Sequence, residues 1–461
     1  MKEKPSAEQI KIGERIIVTV KRLGINGEGV GYYRRKAVFI EGALSGEVVK
    51  ATVSRIESGY LFATVDEREK TSKLRVTPEC VAFRDEKCGG CQLQHLSYEG
   101  QLVEKAEMVR EAFARYCGDV TVDVHPVIGM EKPWRYRNKA QFQLSTDKTG
   151  RVIAGLYSAN SHRLLDLTDC PIQPSSINAV MRTLVGLMQS LHVSIFNEKT
   201  RKGCLRSLVV RESPSGEMQV TLVSYSSYIP QLDELLHELL KRHPKIISVA
   251  QNVNTSSSPL IFGEQTRILH GTDKLEIRLG AMKYAVSPRA FFQLNSEQTV
   301  KLYEEIKRAA TLTGSETVVD AYCGSGTIGL WLASEAKEIH GVETIEDAVL
   351  DAQYNAQLNG IDNAIFTCAL AEQWLPTQVR KGLKADVMIV DPPRAGCDRK
   401  LLQAIADAKP EKLIYVSCNP STLAKDCRYL LEQGFQISYV QPVDMFPHTA
   451  HVESVVLLTK G

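Results

Sequence analysis

Ile414-Tyr415-Val416-Ser417-Cys418-Asn419-Pro420 is an apolar run that ends on a thiol and a turn. The run reads as a strand, so Cys418 stands at its carboxyl end, and Pro420 fixes the turn that follows. A free cysteine is most often a small buried apolar residue. At a strand end among other motif loops it can instead act as a nucleophile. Pyrimidine methylation has a specific use for such a thiol. C5 of uracil reacts poorly with a methyl sulfonium, but thiolate addition at C6 makes the ring an enolate with electron density at C5. C5 then takes the methyl group, a base removes the C5 proton, and elimination frees the cysteine. Adenine N6 methylation needs no thiol. Cys323 and Cys397, in loops of similar character, are rivals for the role.

The base belongs beside the same pocket, as a carboxylate or a histidine. Phe446-Pro447-His448-Thr449-Ala450-His451-Val452-Glu453-Ser454-Val455 offers three candidates. Glu453 opens a strand-like run, where burial would raise its pKa towards a working value. His448 and His451 are reserves, each equally readable as pocket wall.

Two further loops end apolar runs. Asp391-Pro392-Pro393-Arg394 follows one of them, where a proline-stiffened loop can separate a cofactor from a planar acceptor. A plain surface turn is the alternative. In Val318-Val319-Asp320-Ala321-Tyr322-Cys323-Gly324-Ser325-Gly326-Thr327-Ile328-Gly329, a strand turns through glycines into a helix. Glycines admit close backbone approach, and a helix start favours anionic groups. Nicotinamide or flavin binding competes. The aspartate ahead of the glycines, and Glu343 23 residues on at the next strand end, favour S-adenosylmethionine, whose ribose hydroxyls a carboxylate can accept.

Cys80 and Cys88-Gly89-Gly90-Cys91 place three thiols close together. Cys-x-x-Cys suits zinc, a redox pair or an iron–sulfur cluster. A second such pair, which would favour zinc, is absent from the sequence. Cys170, followed by Pro171, is the best distant fourth ligand; unmetallated cysteines are the alternative. Trp134-Arg135-Tyr136-Arg137-Asn138-Lys139 interleaves rings and cations, as single-stranded RNA contacts do, or enters the core as a strand. Lys199-Thr200-Arg201-Lys202 is a similar, less specific run.

These residues need elements to hold them. Runs 14–20, 37–40, 47–56 and 60–65, separated by glycines, predict a small five-stranded barrel of the OB type. Arg34-Arg35-Lys36 falls at a hairpin tip, where RNA phosphates can be met. The stretch Gly24-Ile25-Asn26-Gly27-Glu28-Gly29-Val30-Gly31 has no helix pattern after it and is not a dinucleotide loop. Helices are predicted at 98–116, 173–191 and 232–241, and strands at 139–144, 206–210 and 218–224. Residues 252–259 form a polar connection. From 286 onward, strand-like runs at 316–320, 338–342, 364–368, 386–390 and 412–417 alternate with helices, which predicts a parallel doubly wound sheet with ligands at the strand carboxyl ends. The run 454–459 is expected as an edge strand.

The chain has 461 residues, 43% hydrophobic and 24% charged, which excludes a disordered or fibrous protein. No run of 18 apolar residues occurs, and residues 1–5 lack the apolar core of a secretory signal. A cytoplasmic protein without a membrane partner is expected. Eleven cysteines are too sparse for a disulfide scaffold. The net charge of +2 hides an asymmetry: residues 1–76 hold 15 lysines and arginines against 10 acids, and residues 286–461 hold 16 against 22. The basic end can face a polyanion.

Ser287-Pro288-Arg289-Ala290-Phe291-Phe292-Gln293-Leu294-Asn295, the Asp320 and Asp391 loops, Ser417-Cys418-Asn419-Pro420 and His451-Val452-Glu453-Ser454-Val455 occur in an order that resembles the RNA uridine-C5 methyltransferase family. The resemblance is to its 23S ribosomal-RNA type and covers nearly the whole chain. It implies that Gln293, Tyr322, Glu343 and Asp391 contact S-adenosylmethionine, that Cys418 is the nucleophile, and that Glu453 is the general base. It also implies a TRAM barrel and a [4Fe-4S] cluster on Cys80, Cys88, Cys91 and Cys170, which shapes the RNA-binding fold. The expected architecture is multidomain α/β. Residues 1–74 form the TRAM-like barrel, 75–285 a central α+β domain, and 286–461 a Rossmann-like methyltransferase domain. The expected product is 5-methyluridine in 23S ribosomal RNA, made by a monomer. The same chemistry on transfer RNA, a non-catalytic RNA-binding or assembly factor, and a base N-methyltransferase are the alternatives.

Overall fold

The computed structural model describes residues 10–258 and 260–461. Residues 1–5, on which the expected lack of a secretory signal rests, lie outside the described residues, as does Pro259 of the polar connection.

Five strands, β1 (Arg15–Leu23), β2 (Gly29–Tyr33), β3 (Lys36–Ile40), β4 (Val48–Ile56) and β5 (Tyr60–Lys70), close a barrel in the order β1-β2-β3-β5-β4. Strict alternation along β1 sends Ile16, Val18 and Val20 inward. β2 reads as a turn because of its glycines, yet Gly31 is there for packing: a Cβ would lie 2.3 Å from a Val18 methyl. Arg34 and Arg35 form the β2–β3 tip, both in the left-handed region.

Two helices follow, α1 (Val81–Glu86) and α2 (Tyr98–Tyr116), the second capped by the Ser97 hydroxyl, which accepts from the Gly100 N–H at 3.2 Å. Next come β6 (Lys139–Thr146), β7 (Val152–Gly155), α3 (Ser175–Ser190), β8 (Leu205–Glu212), β9 (Met218–Ser224), α4 (Leu232–Arg242), β10 (Ile246–Val253) and β11 (Gln265–Gly271). Their six strands form one sheet, β11-β10-β9-β8-β6-β7, with α3 and α4 packed on it. A hairpin, β12 (Leu275–Leu279) and β13 (Met282–Val286), leads to the last part of the chain.

That part is α5 (Ser296–Ala310), β14 (Thr317–Ala321), α6 (Thr327–Leu332), β15 (Glu338–Glu343), α7 (Glu346–Leu358), β16 (Ala364–Cys368), α8 (Ala371–Arg380), β17 (Val387–Val390), α9 (Arg399–Ala408), β18 (Lys412–Ser417), α10 (Pro420–Glu432), β19 (Phe435–Val443) and β20 (Glu453–Lys460). The sheet order is β16-β15-β14-β17-β18-β20-β19. The first five are parallel, and β20 runs antiparallel to both its neighbours. The last strand is therefore interior, a correction to the expected edge position. β19 takes the edge; its half-exposed face and Pro442, a residue tolerated in outer strands, hide it in the sequence.

The hairpin β12–β13 shares its core with the seven-stranded sheet, and so does α2 through Val109, Ala112 and Phe113. The barrel is fastened to α2. Leu23 and Leu44 pack with Leu93, Leu96 and Met108, and Arg22 pairs with Glu111 at 3.0 Å.

Candidate active site

Register alone gathers the motif loops. Ala321 pairs with Val342 and with Val390, so Tyr322, Glu343 and Asp391 leave adjacent strands at one edge. Val390 pairs with Tyr415, which brings the end of β18 to the same edge. Ser417 pairs with Ser454 in the antiparallel ladder, so the next step sets Cys418 across from Glu453. Neighbouring strands lie about 4.8 Å apart. The parallel strands are apolar on both faces, as a sheet covered on both sides requires.

The glycine turn is tight. Tyr322, Gly324 and Gly326 all have positive φ (63°, 54° and 76°), and a Cβ on Gly326 would meet the Phe366 ring at 2.8 Å. Asp320 is fully buried and accepts the Gly329 N–H at 2.9 Å through Oδ2, while Oδ1 has no partner among the described residues. Burial, with Asp391 and Glu343 nearby, pushes Asp320 up to about 7. Glu343 accepts the Gly324 N–H at 3.1 Å and the Thr344 and Ile345 N–H groups at 2.6 and 3.0 Å, which aims the carboxylate at the glycine loop. An orphaned carboxylate oxygen, a glycine cradle and an oriented acid at one strand edge fit a cationic ribose-bearing ligand. Gln293 lies in the loop between β13 and α5. Its carbonyl accepts from Asn138 at 3.1 Å, and buried Arg211 holds the same loop by donating to the Ser287 and Ala290 carbonyls.

Cys418 is half-buried, and burial, followed by Glu453, pushes its thiol up to about 11; Arg394 opposes the shift. Glu453 is buried and held well above the carboxylate range, first by burial and then by Asp391, with Arg394 again opposing. Burial likewise pushes Asp391 up to about 7. A thiol, two carboxyls and one guanidinium thus share an electrostatic neighbourhood. Arg394 also ties the loops together: its carbonyl accepts from Asn419 at 3.0 Å and Thr422 at 3.2 Å, and its guanidinium donates to His451 Nδ1 at 2.7 Å. A cleft of about 240 Å³ opens over Cys418, walled by Arg394, Asn419 and His451 on one part and by Met108, Ile25 and Asn26 on the rest.

Cys323 and Cys397 do not line this cleft. Cys323 is buried, and desolvation holds it well above the ordinary thiol range. Burial pushes Cys397 up to about 12. His451 accepts from Arg394 and is lowered to about 4 by burial, so it is a neutral wall. The His448 ring stacks on Trp134 at 3.6 Å, and its carbonyl accepts from Gln92 and Leu93. Within the Trp134–Lys139 run, Tyr136 is buried and its hydroxyl donates to the Pro447 carbonyl, while Arg135 stays exposed and forks onto Asp169 at 2.8 Å. Arg201 stacks over Tyr225, leaving Lys199 and Lys202 exposed.

The four cysteines arrive from separate segments. Cys80 caps α1, Cys88 and Cys91 flank a Gly-Gly turn, and Cys170 precedes α3. The Gly89 N–H donates to the Tyr157 carbonyl at 3.0 Å, an approach that a side chain would hinder. All four are unpaired. Burial pushes Cys91 and Cys170 up to about 12, and each also feels Cys80 and Cys88, so the four thiols are neighbours. Among the described residues no group of three or more His, Cys, Asp or Glu is arranged to hold a metal ion. A four-iron cluster gives each thiolate its own iron and needs wider spacing than one ion does. The donor set fits such a cluster in kind and number.

Sequence reasoning did not single out Arg394 or the barrel residues Ile25 and Asn26. Arg394 was readable as the cation beside Asp391; the barrel loop had no signal, because only docking brings it to the cleft.

A doubly wound sheet with a glycine turn, a strand-end acid and a strand-end cysteine opposite a glutamate defines a nucleotide-ligand methyltransferase. Residues 97–461 match the family described as tRNA (Uracil-5-)-methyltransferase, and residues 9–65 match the TRAM domain. The chain belongs to this family of S-adenosylmethionine-dependent RNA uracil-5 methyltransferases. It is 47% identical to an uncharacterized RNA methyltransferase of Bacillus anthracis over the whole of both chains. It is 48% identical to another of Halalkalibacterium halodurans over 97% of each chain. The solved structure of Pyrococcus abyssi tRNA (uracil-54, C5)-methyltransferase with S-adenosyl-L-homocysteine is similar, with a TM-score of 0.73 at 26% identity, covering 96% of this chain and 100% of that one. Among the described residues no helix is long and apolar enough to cross a membrane.

Proposed function

We propose that the protein methylates C5 of a uridine in 23S ribosomal RNA, with Cys418 as nucleophile and Glu453 as base. The observation that carries this is the β18–β20 register, which sets the thiol across from the carboxyl beside the Asp391 loop. Bound S-adenosylmethionine would supply the methyl group on a sulfonium. Glu343 would accept the ribose hydroxyls, with Gln293, Tyr322 and Asp391 lining the rest of its site. Cys418 loses its proton to solvent and adds to C6, and C5 takes the methyl group. The Glu453 carboxylate removes the C5 proton, and elimination returns the thiolate. Arg394 favours both anions and so opposes the burial that holds the pair neutral. The target base must leave its stack to reach a cleft of this size.

A [4Fe-4S] cluster on Cys80, Cys88, Cys91 and Cys170 belongs to the same reading, with the convergence of four unpaired thiols as its support. It would lock the 88–93 segment, which grips the His448 carbonyl ahead of Glu453. The protein works as a cytoplasmic monomer of three parts, 1–74, 75–285 and 286–461. Transfer RNA is the second reading, favoured by the likeness to Pyrococcus abyssi tRNA (uracil-54, C5)-methyltransferase.

The test uses ribosomal and transfer RNA transcripts in which 5-fluorouridine replaces uridine. Fluorine cannot leave as a proton, so the adduct is trapped. A denaturation-resistant RNA–protein band on ribosomal RNA that vanishes in Cys418→Ala is expected. A band on transfer RNA alone moves the substrate; no band on either refutes the thiol route.

A further inference from the structure

The cleft over Cys418 is not made by the methyltransferase sheet alone. Part of its wall is Ile25 and Asn26, from the β1–β2 loop of the barrel. The loop is built to sit there. The Gly24 N–H donates to the Glu28 carbonyl at 2.7 Å and the Gly27 N–H to the Gly24 carbonyl at 2.9 Å. Gly27 has φ of 85°, and a Cβ on it would lie 3.0 Å from Gln92 and 3.4 Å from Ala450, so only glycine lets the loop close on the segment that carries His451 and Glu453. The leucine cluster and the Arg22–Glu111 pair fix the barrel behind it.

Two chemistries meet in this loop. Ile25 is 45% exposed and, with Met108, gives the cleft an apolar surface. Asn26 is held by Glu28, whose carboxylate accepts from the Asn26 backbone N–H at 3.0 Å and from Nδ2 at 3.4 Å. With one amide hydrogen directed to Glu28, Asn26 keeps its second N–H and the oxygen Oδ1, and that oxygen is an acceptor only. A flipped base is held between apolar faces and read along its Watson–Crick edge. Uracil presents an N3–H donor on that edge, whereas cytosine presents a lone pair at N3.

We propose that Ile25 and Asn26 hold the target base in the Cys418 cleft, Ile25 by packing on its face and Asn26 Oδ1 by accepting the N3–H, so that the barrel contributes to the choice of uracil over cytosine. This rests on the covalent reading above and goes beyond it by giving the barrel a role at the reacting nucleotide.

The test uses a short RNA hairpin carrying the mapped target as 5-fluorouridine or 5-fluorocytidine, with S-adenosylmethionine and the full-length protein. Adduct formation is timed for wild type, Ile25→Ala, Ile25→Val and Asn26→Ala. Asn26→Ala is expected to slow the uridine adduct at least tenfold and to leave the cytidine rate unchanged, narrowing the discrimination. Ile25→Ala is expected to slow both, and Ile25→Val to restore most of the rate. S-adenosylmethionine affinity, measured by titration calorimetry, stays at the wild-type value throughout, which separates this role from a folding defect. Wild-type rates and wild-type discrimination in both alanine variants overturn the inference while leaving the covalent route standing. No adduct with wild type refutes the covalent route and this inference with it.

Discussion

Alkylation of Cys418 in the RNA-free protein reports directly on the electrostatics of the cleft. Burial and Glu453 push the thiol from 9.0 to about 11, while Arg394 pulls it down. Two units cut the thiolate fraction at neutral pH about 100-fold below that of a free thiol, and partial exposure trims the effect to between about 10- and about 100-fold. The thiol is raised, so its reactivity should climb tenfold per pH unit through neutrality and level off only near pH 11. Glu453→Gln removes an acid and should speed alkylation towards the alkaline end, where Glu453 is ionised. Arg394→Met removes the opposing cation and should slow it. The assay is iodoacetamide labelling from pH 7 to 11, quantified by mass spectrometry on the peptide bearing Cys418, since Cys368 is also exposed. A midpoint near 8.5 that neither substitution moves would refute the placement of Glu453 and Arg394 beside the thiol.

Asp320 is raised to about 7, so above that pH the folded protein carries a buried charge that the unfolded chain does not resist. Asp320→Asn should raise the Tm of the cofactor-free protein at pH 8, by at most about 4 kcal/mol in stability, and leave it unchanged near pH 4; equal shifts at both pH values would contradict this. Lys105 and Asp444 form a fully buried pair at 2.5 Å, and Lys105 also donates to the Phe446 carbonyl. Lys105→Met should cost about 3–5 kcal/mol in urea unfolding and the double change with Asp444→Leu much less. Gly326→Ala, with its positive φ and its contact with Phe366, should weaken S-adenosylmethionine binding more than tenfold by calorimetry while circular dichroism stays native. Anaerobic reconstitution should yield about four irons per chain, lost in Cys170→Ala; a single zinc per chain would replace the cluster assignment.

The parallel strands could be read from sequence because each is a short apolar run ending on a polar motif, and α2 because its apolar spacing is helical from end to end. β2, β12, β13 and β19 could not be read in advance. β2 is glycine-rich, the hairpin is short, and β19 mixes polar residues with a proline. The site motifs were visible because their chemistry is local, yet the facing of Cys418 and Glu453 depends on where β20 inserts. Trp134, Arg135 and Tyr136 show that residue types alone do not tell a contact's setting: Tyr136 is buried against Pro447, whereas Arg135 pairs with Asp169 at the surface.

The insertion of β20 between β18 and β19 also orders the birth of the enzyme. β19 is synthesised first and can meet the 123–128 segment on one side, but its ladder partner in the sheet is β20, so until β20 follows it is not joined to β18. Meanwhile the far side of β18, next to Cys418, is an open edge of unpaired amides, a template for pairing with other chains. A nascent chain interrupted before 453 therefore carries Cys418 beside an unfinished sheet, without Glu453. Delivery of Glu453 and closure of the sheet are one event, so a chain in which Cys418 and Glu453 face each other is also one that no longer exposes that edge.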